Sequence, residues 1–342
     1  MKAPRHNSPT EVSGWAADGP PAWATHLGTL ALVAAFAWYF VYLRYWFNTE
    51  FPLATPAALA DGSAYKPFQF RALAPWIASL IRSTGIADLT TAYQWIEGVS
   101  VVGLYYSFRF LLSETSSRQV SGVLSFAVFY VLPWNYLLPR GIPILLPYDL
   151  PAVMFFTLGL ALLRRRIWWW YYAVLAVGSL NRETMVFLAI VLFATDAGRS
   201  SRRAMGLHLA GHAVVWIGVR LLMTSLYGGN PGNAFELYHV GTQVPHIKTN
   251  LELLIAPQHL LLILSNFGFA WILVAAFWKR IGDQFTRRAL WVLPPYVLLT
   301  FIAGNMNEIR VFGELMPLIL VPALLIVMNL IRVKPRLSSS AS

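Results

Sequence analysis

The sequence predicts an all-α polytopic membrane protein, a bundle of about ten transmembrane segments, and three observations predict it. The chain of 342 residues is 57% hydrophobic and only 12% charged. Its mean hydropathy is +0.55. Its apolar residues gather in runs whose length suits a hydrocarbon core of about 30 Å, which needs roughly 20 helical residues.

In chain order, the first 24 residues are polar and form a predicted cytoplasmic tail, 1–24. The run 25–46 has no small-residue cleavage site after it and reads as an anchor that stays. Further runs cover 91–112, 119–138, 148–163, 204–225, 258–278, 289–304 and 309–331. The stretch 167–194 carries Asn181, Arg182 and Glu183 near its middle, where charge is costly in a bilayer. Broken at Asn181, it leaves Lys2, Arg5, Arg118, Arg164 to Arg166, Arg199, Arg202, Arg203, Lys279, Arg280, Arg287, Arg288, Arg332, Lys334 and Arg336 all inside. Unbroken, it would turn the basic loops 279–288 and 332–336 outward, so the broken version is favoured, with both termini and the tail 332–342 cytoplasmic.

This topology gives a single transmembrane domain, 25–331, with long extracytoplasmic loops 47–90 and 226–257. Phe70 to Arg82 is too short to cross and has apolar residues near helical spacing, so it reads as an interfacial helix in the first loop. The net charge of +11 lies mostly in short loops and sets orientation; nucleic-acid binding is a poor fit. With no cysteine, disulfides and thiolate metal sites are excluded. His208 and His212 share a helix face at metal-ligand spacing but lack a third ligand. Glu97, inside a span, suits either a proton relay or a lone hydrogen-bonded glutamate.

Four charged groups converge on the predicted outer face. Glu50 and Asp61, with Lys66 and Arg71, could deprotonate an acceptor hydroxyl beside a cation that neutralises a phosphate. Asp149, at the outer start of a span, is expected mainly to cap a helix N-terminus. Asn181, Arg182, Glu183 and Thr184 form the third group; Arg182 and Glu183 point about 100° apart on a helix, so each needs another partner. Glu308, Arg310 and Glu314 form the fourth, and Arg310 and Glu314, four apart on one face, suit a structural pair. Three arginines from distant parts of the chain suit multidentate binding of phosphate.

The acid after the first span (Glu50), the first loop DGSAYKPFQFRALAPW, NRET at 181–184 and EIRVFGE at 308–314 resemble the GT-C superfamily of integral membrane glycosyltransferases, including its uncharacterised bacterial members. The resemblance implies an inverting sugar transfer from a polyprenyl-phosphate donor to a glycan, lipid or protein acceptor of the envelope, at the outer face of the plasma membrane. It puts the base role on Glu50, with Asp61 as the rival, and the lipid phosphate on Arg71, Arg182, Arg310 and Lys66. Asp149, Asn181, Glu183, Glu308, Glu314, Tyr65 and His239 would support the site or bind acceptor. Tyr65, Phe68 and Trp76 would flank the sugar or prenyl chain. No cofactor is implied, since arginines can stabilise a phosphate leaving group; a divalent metal stays open. Rival readings are an envelope polysaccharide polymerase or ligase with a pyrophosphate-linked donor, a secondary transporter, whose polar residues should sit near the midplane, and a scaffold without chemistry.

Overall fold

The computed structural model describes residues 22–137, 143–239 and 242–332. The predicted tails, 1–24 up to residue 21 and 332–342 beyond Arg332, lie outside these residues. The described chain is mostly helical, with one two-stranded parallel pairing.

Helices α1 (Ala22–Phe47), α2 (Pro56–Asp61), α3 (Leu73–Ser83) and α4 (Leu89–Leu112) come first, followed by α5 (Arg118–Leu124), α6 (Ala127–Tyr136) and α7 (Asp149–Arg165). Then come α8 (Trp168–Asn181), α9 (Phe187–Asp196), α10 (Arg202–Tyr227), α11 (His246–Ile255) and α12 (Pro257–Leu264). The chain closes with α13 (Ala270–Phe277), α14 (Gln284–Ala289), α15 (Leu293–Ala303) and α16 (Met316–Arg332). Among the described residues, three helices are long and apolar enough to cross a membrane: Trp23–Phe47, Arg202–Tyr227 and Ile309–Ile331. The first two are mostly exposed, with Leu27, Phe36, Trp38, Leu207, Val214 and Leu221 uncovered, whereas the third is largely enclosed by protein. Apolar surface of that extent is what a lipid environment would cover.

The other predicted crossings fold as shorter or more polar helices, fewer long spans than the apolar runs suggested. The run 91–112 is one helix, α4, but carries buried Glu97. The run 119–138 divides between α5 and α6. The run 258–278 divides where Phe267, Gly268 and Phe269 all take positive φ (56°, 60° and 64°), a conformation no continuous right-handed helix admits. Asn135 fixes this break: its side chain donates to Asn266 Oδ1 (2.7 Å) and accepts from the Phe267 N–H (3.2 Å). The stretch 167–194 divides at Arg182, whose backbone is extended (φ −160°, ψ 139°) between α8 and a 3-10 turn at Glu183–Val186.

The centre of the bundle is α7, which packs along α4, α8 and α9. Its start is tied to the first loop by strand β1 (Thr49–Glu50) beside β2 (Ile144–Leu145), with Thr49 opposite Ile144 and Glu50 opposite Leu145. Helix α3, at the predicted interfacial segment, buries Ala74, Pro75 and Ala78 and exposes Trp76, Ile77 and Leu80. Local caps fit the sequence: Thr55 accepts from Ala58 N (3.2 Å) ahead of Pro56, and Asp88 accepts from Thr91 N (2.7 Å) at the start of α4.

The turn leading into α16 is packed so closely that a Cβ on Gly313 would collide with the Tyr136 hydroxyl and meet Val153 Cγ2 at 3.2 Å. Gly313→Ala should therefore lose about 1–3 kcal/mol of stability through overpacking, read as a lower unfolding temperature in detergent; an unchanged temperature would show that Tyr136 yields freely.

Candidate active site

Asp149 is the first residue of α7 and is wholly buried. Its expected capping role is not the main one, because three arginines claim its carboxylate. Oδ1 accepts from Arg182 Nη1 at 3.1 Å, and both oxygens accept from Arg310 Nη1 (3.3 and 3.2 Å). Oδ2 also accepts from Arg44 Nη2 at 3.3 Å. Arg44, near the end of α1, is wholly buried; it donates to the Leu146 carbonyl (3.0 Å) and is ion-paired with Glu97 of α4. Glu97 is thus a member of this network rather than a lone glutamate. Arg44 was not anticipated as a site residue, although an arginine inside an apolar run is a signal in itself.

Arg182 and Glu183 each find a partner elsewhere, as expected, although Arg182 is extended rather than helical. Arg182 Nε lies 3.1 Å from Glu314 Oε1, an ionic contact without a directed N–H. Glu183 is held by Arg71 through two nitrogens (2.7 and 3.2 Å), while Arg71 Nη1 donates to the Tyr148 hydroxyl (3.0 Å). The expected Arg310–Glu314 pair does not form. Residues Ile309–Leu315 are a 3-10 helix, in which positions four apart diverge by about 120°. Arg310 turns to Glu308 and Asp149, and Glu314 accepts from Thr184 Oγ1 (2.9 Å) and the Tyr296 hydroxyl (2.8 Å). The result is a buried arginine and carboxylate network joining α1, α4, α7, the α8–α9 junction and the entry to α16.

One side of this network faces a cavity of about 760 Å³. Arg71, Arg182, Glu183, Glu308, Arg310 and His239, all expected site residues, line it. Asp149 and Glu314 lie behind its wall, as does Asn181, which donates to the Tyr148 carbonyl (2.9 Å). The remaining four candidates are elsewhere. Glu50 is exposed on β1 and Asp61 is exposed at the end of α2; Tyr65 packs with Leu59 and Phe68, and Lys66 Nζ donates to the Gly228 carbonyl (2.7 Å). None of these four lines the cavity.

The apolar part of the wall comes from Phe51, Phe68, Phe187, Trp216 and Leu299. The segment 226–257 adds Glu236, His239, Thr242, His246 and Thr249. His239 Nε2 is 2.9 Å from Thr249 Oγ1, and its ring lies 4.0 Å from that of His246. Burial, reinforced by His239, lowers the His246 pKa to about 4, so its imidazole is neutral at physiological pH. Burial and the neighbouring Glu308 raise the Glu236 carboxyl to about 7, against the pull of Arg71 and Arg310. Arg220, on the cavity face of α10, also escaped the sequence reading. Its Nη1 is buried without a hydrogen-bond partner, and its guanidinium sits 4.8 Å from the Phe70 ring. His208 and His212 instead meet Tyr172 and Tyr171 hydroxyls at 2.9 and 2.8 Å.

No family model matches the chain, nor does any curated protein or solved structure. The site therefore stands on its own geometry: a buried charge network that presents arginines to an apolar-walled cavity, an arrangement suited to catalysis or phosphate binding.

Asp149→Asn would leave Arg44, Arg182 and Arg310 short of compensation in the interior. The expected loss is about 3–5 kcal/mol, seen as a marked fall in unfolding temperature, and a fall equivalent to less than about 1 kcal/mol would count against Asp149 as the hub.

Proposed function

We propose that the protein is a membrane glycosyltransferase of GT-C type that moves a sugar from a polyprenyl-phosphate donor to an envelope glycan, lipid or protein. The observation that carries this reading is the make-up of one cavity, in which Arg71, Arg182, Arg220 and Arg310 share walls with Phe51, Phe68, Phe187, Trp216 and Leu299. A phosphate attached to a long hydrocarbon chain needs both cationic donors and apolar surface, and this cavity supplies both. The finer topology, about ten membrane segments with the cavity on the extracytoplasmic side, is part of the same proposal.

The chemistry would be displacement at the anomeric carbon with inversion. The acceptor oxygen attacks, the bond between carbon and phosphate oxygen breaks, and the electron pair leaves on the phosphate. Arginines already fixed by carboxylates contribute a preorganised positive field at that phosphate, with little rearrangement at the moment of reaction. Arg71, Arg182 and Arg310 are fixed in this way, through Glu183, Asp149, Glu314 and Glu308. Arg220 has no carboxylate partner within 4.0 Å among the described residues, so its donors remain for the ligand. A pyrophosphate-linked donor, as a polymerase or ligase would use, meets the same arginines, and the binding comparison below separates the two.

The test is binding of long-chain polyprenyl phosphate, polyprenyl pyrophosphate and the uncharged polyprenol to the purified protein in nanodiscs. Polyprenyl phosphate should bind best. Arg220→Gln should weaken it about 10- to 100-fold, the equivalent of one charge-assisted contact, without lowering the unfolding temperature. Equal affinity for the phosphate and the alcohol would sink the reading, and tighter binding of the pyrophosphate would favour the polymerase or ligase.

A further inference from the structure

Among the described residues three carboxylates line the cavity, and two of them are committed. Glu183 receives Arg71 at 2.7 and 3.2 Å, and Glu308 is paired with Arg310. Glu236 has neither an ion pair nor a hydrogen bond among the described residues. It is the carboxylate counterpart of Arg220, an uncommitted group on a wall where its neighbours are engaged. On the proposed transfer reaction, on which this inference rests, we propose that Glu236 is the base that takes the proton of the attacking acceptor hydroxyl.

The segment around Glu236 is anchored on both sides. Upstream, Lys66 N donates to the Pro231 carbonyl (2.8 Å). Downstream, His246 N donates to the Leu237 carbonyl (3.0 Å) and His239 N to the Val244 carbonyl (2.9 Å). Backbone bonds of this kind hold a side chain in place without occupying its carboxylate. His246, 4% exposed and with both ring nitrogens unpartnered, lines the same part of the wall, where it can exchange hydrogen bonds with the hydroxyls of an acceptor. The step balances without a further reactant. The acceptor O–H gives its proton to a Glu236 carboxylate oxygen as the acceptor oxygen bonds the anomeric carbon, and the polyprenyl phosphate departs with the electron pair of the broken C–O bond.

The groups facing Glu236 across the cavity are Glu308, Arg71 and Arg310, with Glu183, Arg182, Arg220, His239 and His246 on the surrounding wall. A carboxyl near 7 is a competent base in its ionised form, so transfer should fall as pH drops below about 7.

The experiment uses the full-length protein in membrane vesicles carrying native acceptors, supplied with polyprenyl phosphates bearing radiolabelled hexoses or pentoses. Binding of unlinked polyprenyl phosphate is measured on the same variants. Glu236→Gln should lower transfer at least about 100-fold, abolish the acid limb of the pH profile in what remains, and leave polyprenyl phosphate binding within about threefold of wild type. Glu236→Asp should recover part of the rate and keep the acid limb. Transfer by Glu236→Gln within about threefold of wild type overturns the assignment, as does loss of transfer in Glu50→Gln or Asp61→Asn while Glu236→Gln stays active. Loss of lipid-phosphate binding in Glu236→Gln would show a structural role and overturn it too. A wild-type protein that binds polyprenyl phosphate yet transfers no sugar overturns the base role, whereas one that binds none removes the proposed function itself.

Discussion

A single carboxylate, that of Asp149, holds together the parts of the chain on which both the bundle and the cavity depend. It joins Arg44 of α1, Arg182 at the α8–α9 junction and Arg310 at the entry to α16. Glu97 of α4 enters through Arg44 and Glu314 through Arg182. Placing this many charges out of water carries a large desolvation penalty, and well-packed apolar side chains would hold a bundle at least as well. What the network adds is register. Each arginine reaches its place only if the helices carrying it and its partners are in the observed positions, so a shift of one helix would leave a charge stranded.

The same network explains how positive charge can wait in an apolar-walled cavity. Arg71, Arg182 and Arg310 look into it while carboxylates behind or beside them absorb most of their charge. Such arginines are rigid, and their residual field is directed. Rigid donors need not reorganise when charge develops on a ligand, which is the condition under which electrostatic stabilisation is strongest. Two groups stand outside the network, Arg220 and Glu236, one of each sign.

Much of the site was legible because charge in an apolar chain is rare and therefore informative. Arg71, Arg182, Glu183, Glu308 and Arg310 were singled out on that ground, and the structure brings all five to one cavity wall. The break expected at Asn181 was legible from the charged triplet and from the basic loops, and the structure sets it one residue on, at Arg182. Other features were hidden by context. Arg44 stands near the end of the first apolar run, and its inward turn depends on Glu97, more than fifty residues away in sequence. The interruption at Phe267 to Phe269 has no proline, and beyond Asn266 and Gly268 its backbone is held by Asn135, over a hundred residues away. The pairing of Arg310 followed a 3-10 geometry where helical spacing assumed an α-helix. Glu50 and Asp61 drew attention through their position after the first span, yet proximity in sequence to other charged residues did not bring them to the cavity wall, whereas Glu236 gave no signal beyond lying in a long loop.

Helix α10 links an exposed apolar surface to the cavity. Trp216 and Arg220 are four apart, share one face and line the cavity, while Leu207, Val214, Ile217 and Leu221 lie on exposed surface. A helix exposed on an apolar face and lining a cavity with the other forms the boundary that an amphiphile would meet if its tail stayed in lipid and its headgroup entered protein. On the proposed function, Arg220 is placed to serve such a ligand, since it lines the cavity next to the exposed apolar surface and its Nη1 is buried without a partner. Its stacking on Phe70, from the start of the first-loop helical region, supports the guanidinium from one side without neutralising it. The aromatic contact thus orients the charge, and the lack of a carboxylate keeps it available.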